Sequence, residues 1–361
     1  MMMSTLCKDT INLPFFLFFL TFYVRLIRTQ GDTSTSNWIA LVGFAVLSAL
    51  TKKTSLIVCV LSLALLIVWI GSLRKRLAIA GAIISITMVS GVAAPSIIRT
   101  LVDYEPGGGQ EVFSVPLQQV AAIVKDDPNS LGKREWQIVS NNYLMPVEDI
   151  PDSYRWWLAD GVKSYWQPAN ANYKEFLTLW AQLMTSHFEA YVASWAGLSA
   201  AWFAPIDPYI DSSYEPLATV PLGGSILPEM AQSGLEPTSG IELIEGWSQD
   251  SSASYYLDQL SIALLRIPLV GLVFQRAFWA SWIPGFALFY IAREKTHNRG
   301  RLLACLIPTL VTLLSLIVGP TSLHQEAIRY LLPMIAAAPG FLALALSRST
   351  FSNKLAARSN S

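Results

Sequence analysis

Polar residues stand in small groups at the edges of long apolar runs, and these groups hold the chain's reactive chemistry. Lys8-Asp9-Thr10 precedes the first run, and Lys52-Lys53-Thr54 falls between the second and third. His324, Glu326, Arg329 and Tyr330 precede the last run, and Gln118-Gln119 lie on a segment with helical spacing. Lysine binds phosphate as a point charge, and arginine binds it as a planar fork. A carboxylate such as Asp9 can ligate a metal, orient an acceptor hydroxyl or act as a general base. The plainer reading of each cation is a helix-end anchor whose long stem snorkels to the membrane interface.

The apolar runs that must position these groups define the fold class. The chain has 361 residues, 53% hydrophobic and 14% charged, where soluble domains carry about 25% charge. Runs of about 18–20 apolar residues are long enough to cross a bilayer core of about 30 Å. Seven spans are expected, over 12–27, 38–51, 55–72, 77–98, 277–292, 302–319 and 329–346. The fold class is therefore an all-α polytopic membrane protein with a helical, loop-rich extracytoplasmic domain. Its parts are a transmembrane block over 1–98, the outer domain over 99–276, a second transmembrane block over 277–346 and a cytoplasmic tail over 347–361.

Orientation in the cell membrane follows from positive charge. Arg25 and Arg28, then Arg74, Lys75 and Arg76, then Arg293, Lys295, Arg299 and Arg301, then Arg348, Lys354 and Arg358 follow alternate spans. Placing these clusters in the cytoplasm puts the whole loop from 99 to 276 outside. Leu260–Phe274 carries Arg266 and Pro268 near its middle, and it reads as an interfacial helix; a tilted span is the alternative. Lys52 and Lys53 then lie outside, against the trend, which gives that pair weight as a ligand site. The N-terminus also falls outside, which leads us to expect further spans upstream.

In the outer domain, Phe113–Lys125 has helical spacing, with Val115, Leu117, Val120, Ala121 and Val124 on one face. Tyr173–Trp202 reads as a second long helix, with Phe176, Leu179, Trp180, Leu183, Phe188 and Trp195 at helix-compatible spacings. Residues 203–258 read as proline-punctuated loop. Trp156, Trp157 and Trp166 fit either an interfacial aromatic belt or a local core. Zero net charge argues against a nucleic-acid partner. Cys7, Cys59 and Cys305, and likewise His187, His297 and His324, are too scattered for a disulfide framework or a metal-ligand spacing. Gly107-Gly108-Gly109 lacks the Gly-Lys-Ser/Thr continuation of a phosphate-binding loop and reads as a hinge.

Taken together, Lys8–Thr10 before a Phe-rich span, the turn at Lys52-Lys53, Phe113–Gln119 (FSVPLQQ), Ile267–Phe274 (IPLVGLVF), Gly319-Pro320 and Arg329–Pro333 (RYLLP) carry a resemblance. Over nearly all its length the chain resembles the C-terminal half of an uncharacterised family of bacterial multi-pass membrane proteins. That family is similar in layout to the GT-C glycosyltransferases, the class of protein O-mannosyltransferases and lipid A aminoarabinose transferases. The resemblance implies transfer of a sugar from a polyprenyl-phosphate donor to a cell-envelope acceptor at the outer membrane face, with membrane lipids as the surroundings. It implies that Asp9 is the catalytic carboxylate of a later outer loop, with a divalent metal left open. Lys8, Lys52, Lys53, Gln118, Gln119, Glu326, Arg329 and Tyr330 would bind the substrate. In such enzymes another acidic residue lies in the first outer loop, which would fall upstream of Met1. The basic turn reads Lys52-Lys53-Thr54-Ser55 where an arginine followed by Asn-Gly is expected. The alternatives are a non-catalytic or truncated protein of envelope assembly and, less favoured for want of a mid-depth carboxylate, a transporter or flippase.

Overall fold

The computed structural model describes residues 8–101, 112–166, 172–205, 256, 260, 263, 264, 267–273, 275–293, 299–320 and 325–346. Among them there is helix but no strand, only the isolated bridges Tyr143–Trp166 and Arg155–Leu158. Each of the apolar runs forms a helix. They are α1 (Lys8–Arg28), α2 (Thr35–Thr51), α3 (Lys53–Leu66) and α4 (Leu73–Leu101), then, after the intervening domain (called the outer domain from its expected orientation), Phe278–Ala292, Arg299–Val318 and Leu332–Leu346. Four are long and apolar enough to cross a membrane: Lys8–Arg28, Leu73–Leu101, Arg299–Val318 and Ile328–Leu346. Thr35–Thr51, Lys53–Trp69 and Phe278–Ala292 are apolar but shorter. A π-helical turn, Thr87–Ala93, lies inside α4.

The helix ends explain the chain reversals. After α1, Gln30 and Gly31 adopt positive φ (53° and 81°). Gly31 N–H donates to Leu26 O and Gln30 N–H to Ile27 O, the paired bonds of a Schellman C-cap. Lys75, at the start of α4, closes over this turn by donating to Gln30 O at 2.9 Å and pairing with Asp32 at 2.7 Å. Between α2 and α3 the reversal is a single extended residue, Lys52 (φ −148°, ψ 116°). Its N–H donates to Ser48 O and its carbonyl accepts from Ser55 N–H.

The outer domain has its own core. Helix α5 (Ser114–Asp126) is buried on every side from Leu117 to Val124, so it is the domain's central element rather than a one-faced helix. Around it pack α6 (Lys133–Asn142), the single turns Ile150–Ser153 and Asp160–Lys163, α7 (Tyr173–Ser186) and α8 (Phe188–Ser199). Trp166 is core, its ring 5.1 Å from that of Phe176, whereas Trp156 is exposed. The single long helix expected over 173–202 is broken. His187 (φ −125°, ψ 39°) ends α7 and precedes α8, and a 3-10 turn, Ala200–Trp202, follows. The break resets the helical register. Phe176, Leu179 and Leu183 face the core as expected, but Phe188 and Trp195 do not.

Close approach between elements fixes Gly197. A Cβ on Gly197 of α8 would run into the Trp156 carbonyl oxygen and lie 2.9 Å from its ring. Backbone cannot yield as a flexible side chain can, so Gly197→Ala should destabilise the outer domain by about 1–3 kcal/mol. Thermal unfolding followed by tryptophan fluorescence checks this. An unchanged midpoint would mean that the Trp156 segment can move aside freely.

The helices that follow the outer domain are α9 (Phe278–Ala292, opening in a π turn), α10 (Arg299–Val318) and α11 (Leu332–Leu346, entered through a 3-10 turn, Gln325–Leu331). Of the expected interfacial helix 260–274, residues Pro268–Val273 are helical; Ser261, Ile262, Leu265, Arg266 and Phe274 lie outside the described residues. Most of the expected loop 203–258 lies outside them too. Helix α1 packs against α2, α10 and α11. Its Tyr23 hydroxyl sits 3.3 Å from both Ser62 O and Ala304 O, tying α1 to α3 and α10. A separate cluster joins domain to bundle: Ala201 and Trp202 pack with Ala280, Leu316, Leu331 and Met334, and with Tyr330 at its edge.

Candidate functional site

The polar groups at one end of the bundle converge on Asp9. Asp9 lies in the first turn of α1 and is 2% exposed, with its Oδ1 2.5 Å from Lys52 Nζ. Its Oδ2 is 3.7 Å from Arg329 Nε. Lys52 faces inward because it is the one extended residue between α2 and α3, where the helical register is interrupted. Arg329 and Tyr330 come from the 3-10 turn that leads into α11. The Tyr330 ring is 5.2 Å from Lys52 Nζ and 5.2 Å from Arg329 Cζ, and its hydroxyl accepts from Arg329 Nη2 at 3.3 Å. Each cation thus lies over a ring whose negative face attracts it.

Beneath the charges is a neutral polar layer. Fully buried Asn12 is one turn along α1 from Asp9. Its amide donates to Ser48 O (2.7 Å), Ser48 Oγ (2.9 Å) and Thr51 Oγ1 (3.0 Å), and its Oδ1 accepts from Ser55 Oγ at 3.3 Å. These bonds hold the end of α2 and the start of α3 against α1, and so fix Lys52 opposite Asp9. Burial pulls the Lys52 ammonium below the usual lysine range. The Asp9 carboxylate opposes that shift, while Lys8 and Arg329 add to it.

The expected site residues divide clearly. Asp9, Lys52, Arg329 and Tyr330 come together. Lys8 and Lys53 are exposed at the same end of the bundle. Glu326 lies in the 3-10 turn, but its side chain, like all of His324, lies outside the described residues. Gln118 and Gln119 turn into the outer domain's core instead of lining a cleft. Gln118 donates to Arg155 O, and Gln119 donates to Tyr191 O at 3.0 Å and accepts from the Trp180 indole at 2.8 Å. Both amides tie α5 to the backbone of neighbouring segments, at Arg155 before the Asp160–Lys163 turn and at Tyr191 in α8. Sequence reasoning missed Asn12, Trp202 and Arg276. Arg276 is buried, with its guanidinium 6.0 Å from the Trp202 ring. A lone asparagine in a Phe-rich apolar helix was the available signal for Asn12.

Among the described side chains, two cations, Lys52 and Arg329, face the one carboxylate of Asp9. Asp9 lies between them as an anchor. It holds Lys52 and Arg329 where an incoming anion could take over their charge. Among the described residues, no group of three or more His, Cys, Asp or Glu is placed to hold a metal ion. The opposite end of the bundle is basic in a different way. Arg25 and Arg28 end α1, Arg74, Lys75 and Arg76 open α4, and Arg299 and Arg301 open α10.

A family model matches residues 1–360, from one end of the chain almost to the other. The chain belongs to DUF6020, a family of unknown function. No curated protein and no solved structure matches it. Membership of an uncharacterised family, expected from the sequence, is borne out, and no glycosyltransferase family is matched.

Proposed function

We propose that this chain is a seven-span membrane protein of glycosyltransferase type, which takes a sugar from a polyprenyl-phosphate carrier at the extracytoplasmic interface. The observation that supports this most is the Lys52–Asp9–Arg329 cluster, set at the end of the bundle where the outer domain docks and opposite the arginine-rich end. The positive-inside rule assigns the arginine-rich end to the cytoplasm. The cluster then lies outside, at the depth of a lipid phosphate. Lys52 and Arg329, with Lys8 and Lys53 at the rim, would hold that phosphate. In the transfer step the bond between the sugar's anomeric carbon and the phosphate oxygen breaks. The acceptor's hydroxyl oxygen forms the new bond, and its proton passes to Asp9 once the phosphate has drawn off the cations. The leaving polyprenyl phosphate keeps the electron pair, with its charge stabilised by Lys52 and Arg329.

A second reading has an observation of its own. The Lys52–Asp9 ion pair is almost wholly buried, as in a clamp that holds α1 to the α2–α3 turn in a non-catalytic assembly protein. Purified protein in nanodiscs separates the two readings. Under the first, polyprenyl phosphate binds, sugar is released from a polyprenyl-phosphoryl sugar, and Arg329→Ala weakens binding at least about tenfold, the loss of one charge-assisted contact. Equal binding by wild type and Arg329→Ala, or no turnover, would leave the clamp.

A further inference from the structure

We propose that α8 and its 3-10 turn lie in the lipid interface, with the stripe Phe188–Val192–Trp195 and Phe203 facing the bilayer. The inference rests on the membrane-spanning reading of the bundle. Phe188, Val192 and Trp195 follow one another at helical spacing and are all exposed, as is Phe203 beyond the turn. Residues 190–205 contain no charged side chain. A charge-free run with one exposed large apolar face is out of place on a domain surrounded by water.

Two contacts fix its depth. The Trp195 indole N–H donates to Ile317 O at 2.7 Å, near the C-terminus of α10. The last carbonyls of a helix lack intrahelical partners, and α10 is about 30 Å long, the thickness of a bilayer core. Trp195 therefore lies where a spanning helix leaves the hydrocarbon, the level at which tryptophan concentrates. Seven residues on, Trp202 is fully buried among Leu316, Leu331 and Met334 of the bundle. The segment between them has no depth available except that of the outer interface. Its buried face is spent on the outer-domain core and the bundle, through Tyr191, Leu198 and Trp202. The opposite face is left to lipid. The outer domain is thus seated in the membrane surface, beside the turn that carries Arg329 and Tyr330.

Nitroxide labels read this directly in nanodiscs of phosphatidylcholine and phosphatidylglycerol. Val192→Cys, Ile84→Cys on the exposed apolar side of α4, and Gln137→Cys on α6 are compared in a chain whose native cysteines are replaced by alanine. Accessibility to oxygen, which partitions into lipid, is set against that to a water-soluble nickel chelate. The expected result is an oxygen-to-nickel ratio at Val192 several-fold above that at Gln137 and on the same side as Ile84. A water-like ratio at Val192 with a lipid-like ratio at Ile84 overturns this inference and leaves the spanning bundle intact. Low access to both reagents at Val192 also overturns it, since another protein surface would then cover the stripe. A water-like ratio at Ile84 overturns the spanning reading, and this inference with it.

Discussion

Asp9→Ala is expected to lose about 3–5 kcal/mol of stability, more than any other single truncation in the charged cluster. Lys52 would be left with a side chain only 9% exposed and no other carboxylate in contact among the described residues, facing the like charge of Arg329. Lys52→Met should be almost as harmful, because it leaves a buried carboxylate with only the looser 3.7 Å contact to Arg329. The double variant Asp9→Ala/Lys52→Met should recover much of the loss. Replacing a buried ion pair by apolar groups removes both desolvation penalties together. A coupling of about 2–3 kcal/mol should appear across the cycle, within the range for groups in direct contact. Arg329→Ala should cost about 1 kcal/mol or less, since its side chain is 31% exposed and solvent screens the pair. Unfolding midpoints in detergent, followed by tryptophan fluorescence, give all four corners. Simple additivity of the two single losses would mean that the 2.5 Å contact carries no energetic coupling.

The ordering of these losses also bears on function. A group that is mainly structural shows its largest effect in stability, and a ligand-binding group shows it in affinity. Arg329 is the least buried of the Lys52–Asp9–Arg329 groups and the one expected to cost least in stability, so on the proposed reading it is the one to exchange Asp9 for a phosphate. Asp9 and Lys52 would be judged mainly by stability, and Arg329 mainly by binding.

Most of the bundle could be read from the sequence, because a long charge-free apolar run satisfies its backbone only as helix. Alternation of the runs also brings Lys8, Asp9, Lys52 and Arg329 to one end. What could not be read depends on single residues. Whether Lys52 or Lys53 turns inward is decided by where α2 stops and α3 starts, a boundary one residue wide. Gln118 and Gln119 resembled cleft residues because a polar pair on an otherwise apolar helix suggests a ligand. Their true partners, the carbonyls of Arg155 and Tyr191, are 37 and 72 residues further along the chain, in positions set only by the packed domain. The break at His187 was equally hidden. Helical spacing continues through it, and without it Phe188 and Trp195 would be assigned to the core.

Trp202→Ala should produce the largest change in how the two parts of the molecule are joined. Trp202 is among the largest fully buried side chains, and removing it empties the middle of the cluster formed with Ala280, Leu316, Leu331 and Met334. Truncations of that size cost about 3–5 kcal/mol. The outer domain has a separate core from Leu117 to Tyr191, so it should remain folded while its anchor loosens. Limited proteolysis in nanodiscs should then cut the chain near Phe203 much faster than in the wild type, with the rest of the outer domain still resistant. Trp202→Phe discriminates further. The indole N–H of Trp202 is buried and has no hydrogen-bond partner among the described residues, so phenylalanine removes an unsatisfied donor while keeping a ring in place. It should cost far less than alanine and leave the Arg276 guanidinium over an aromatic face. If the alanine variant is cut no faster than the wild type, the domain must be held by the Trp195–Ile317 contact instead. If phenylalanine proves as damaging as alanine, the breadth of the indole, and not its burial alone, holds Leu331 and Met334 apart. Because Tyr330 edges the same cluster, loosening the anchor should also reach the charged site. Arg329 would lose the ring it rests on, and affinity for a lipid phosphate should fall without any change in the charges that bind it.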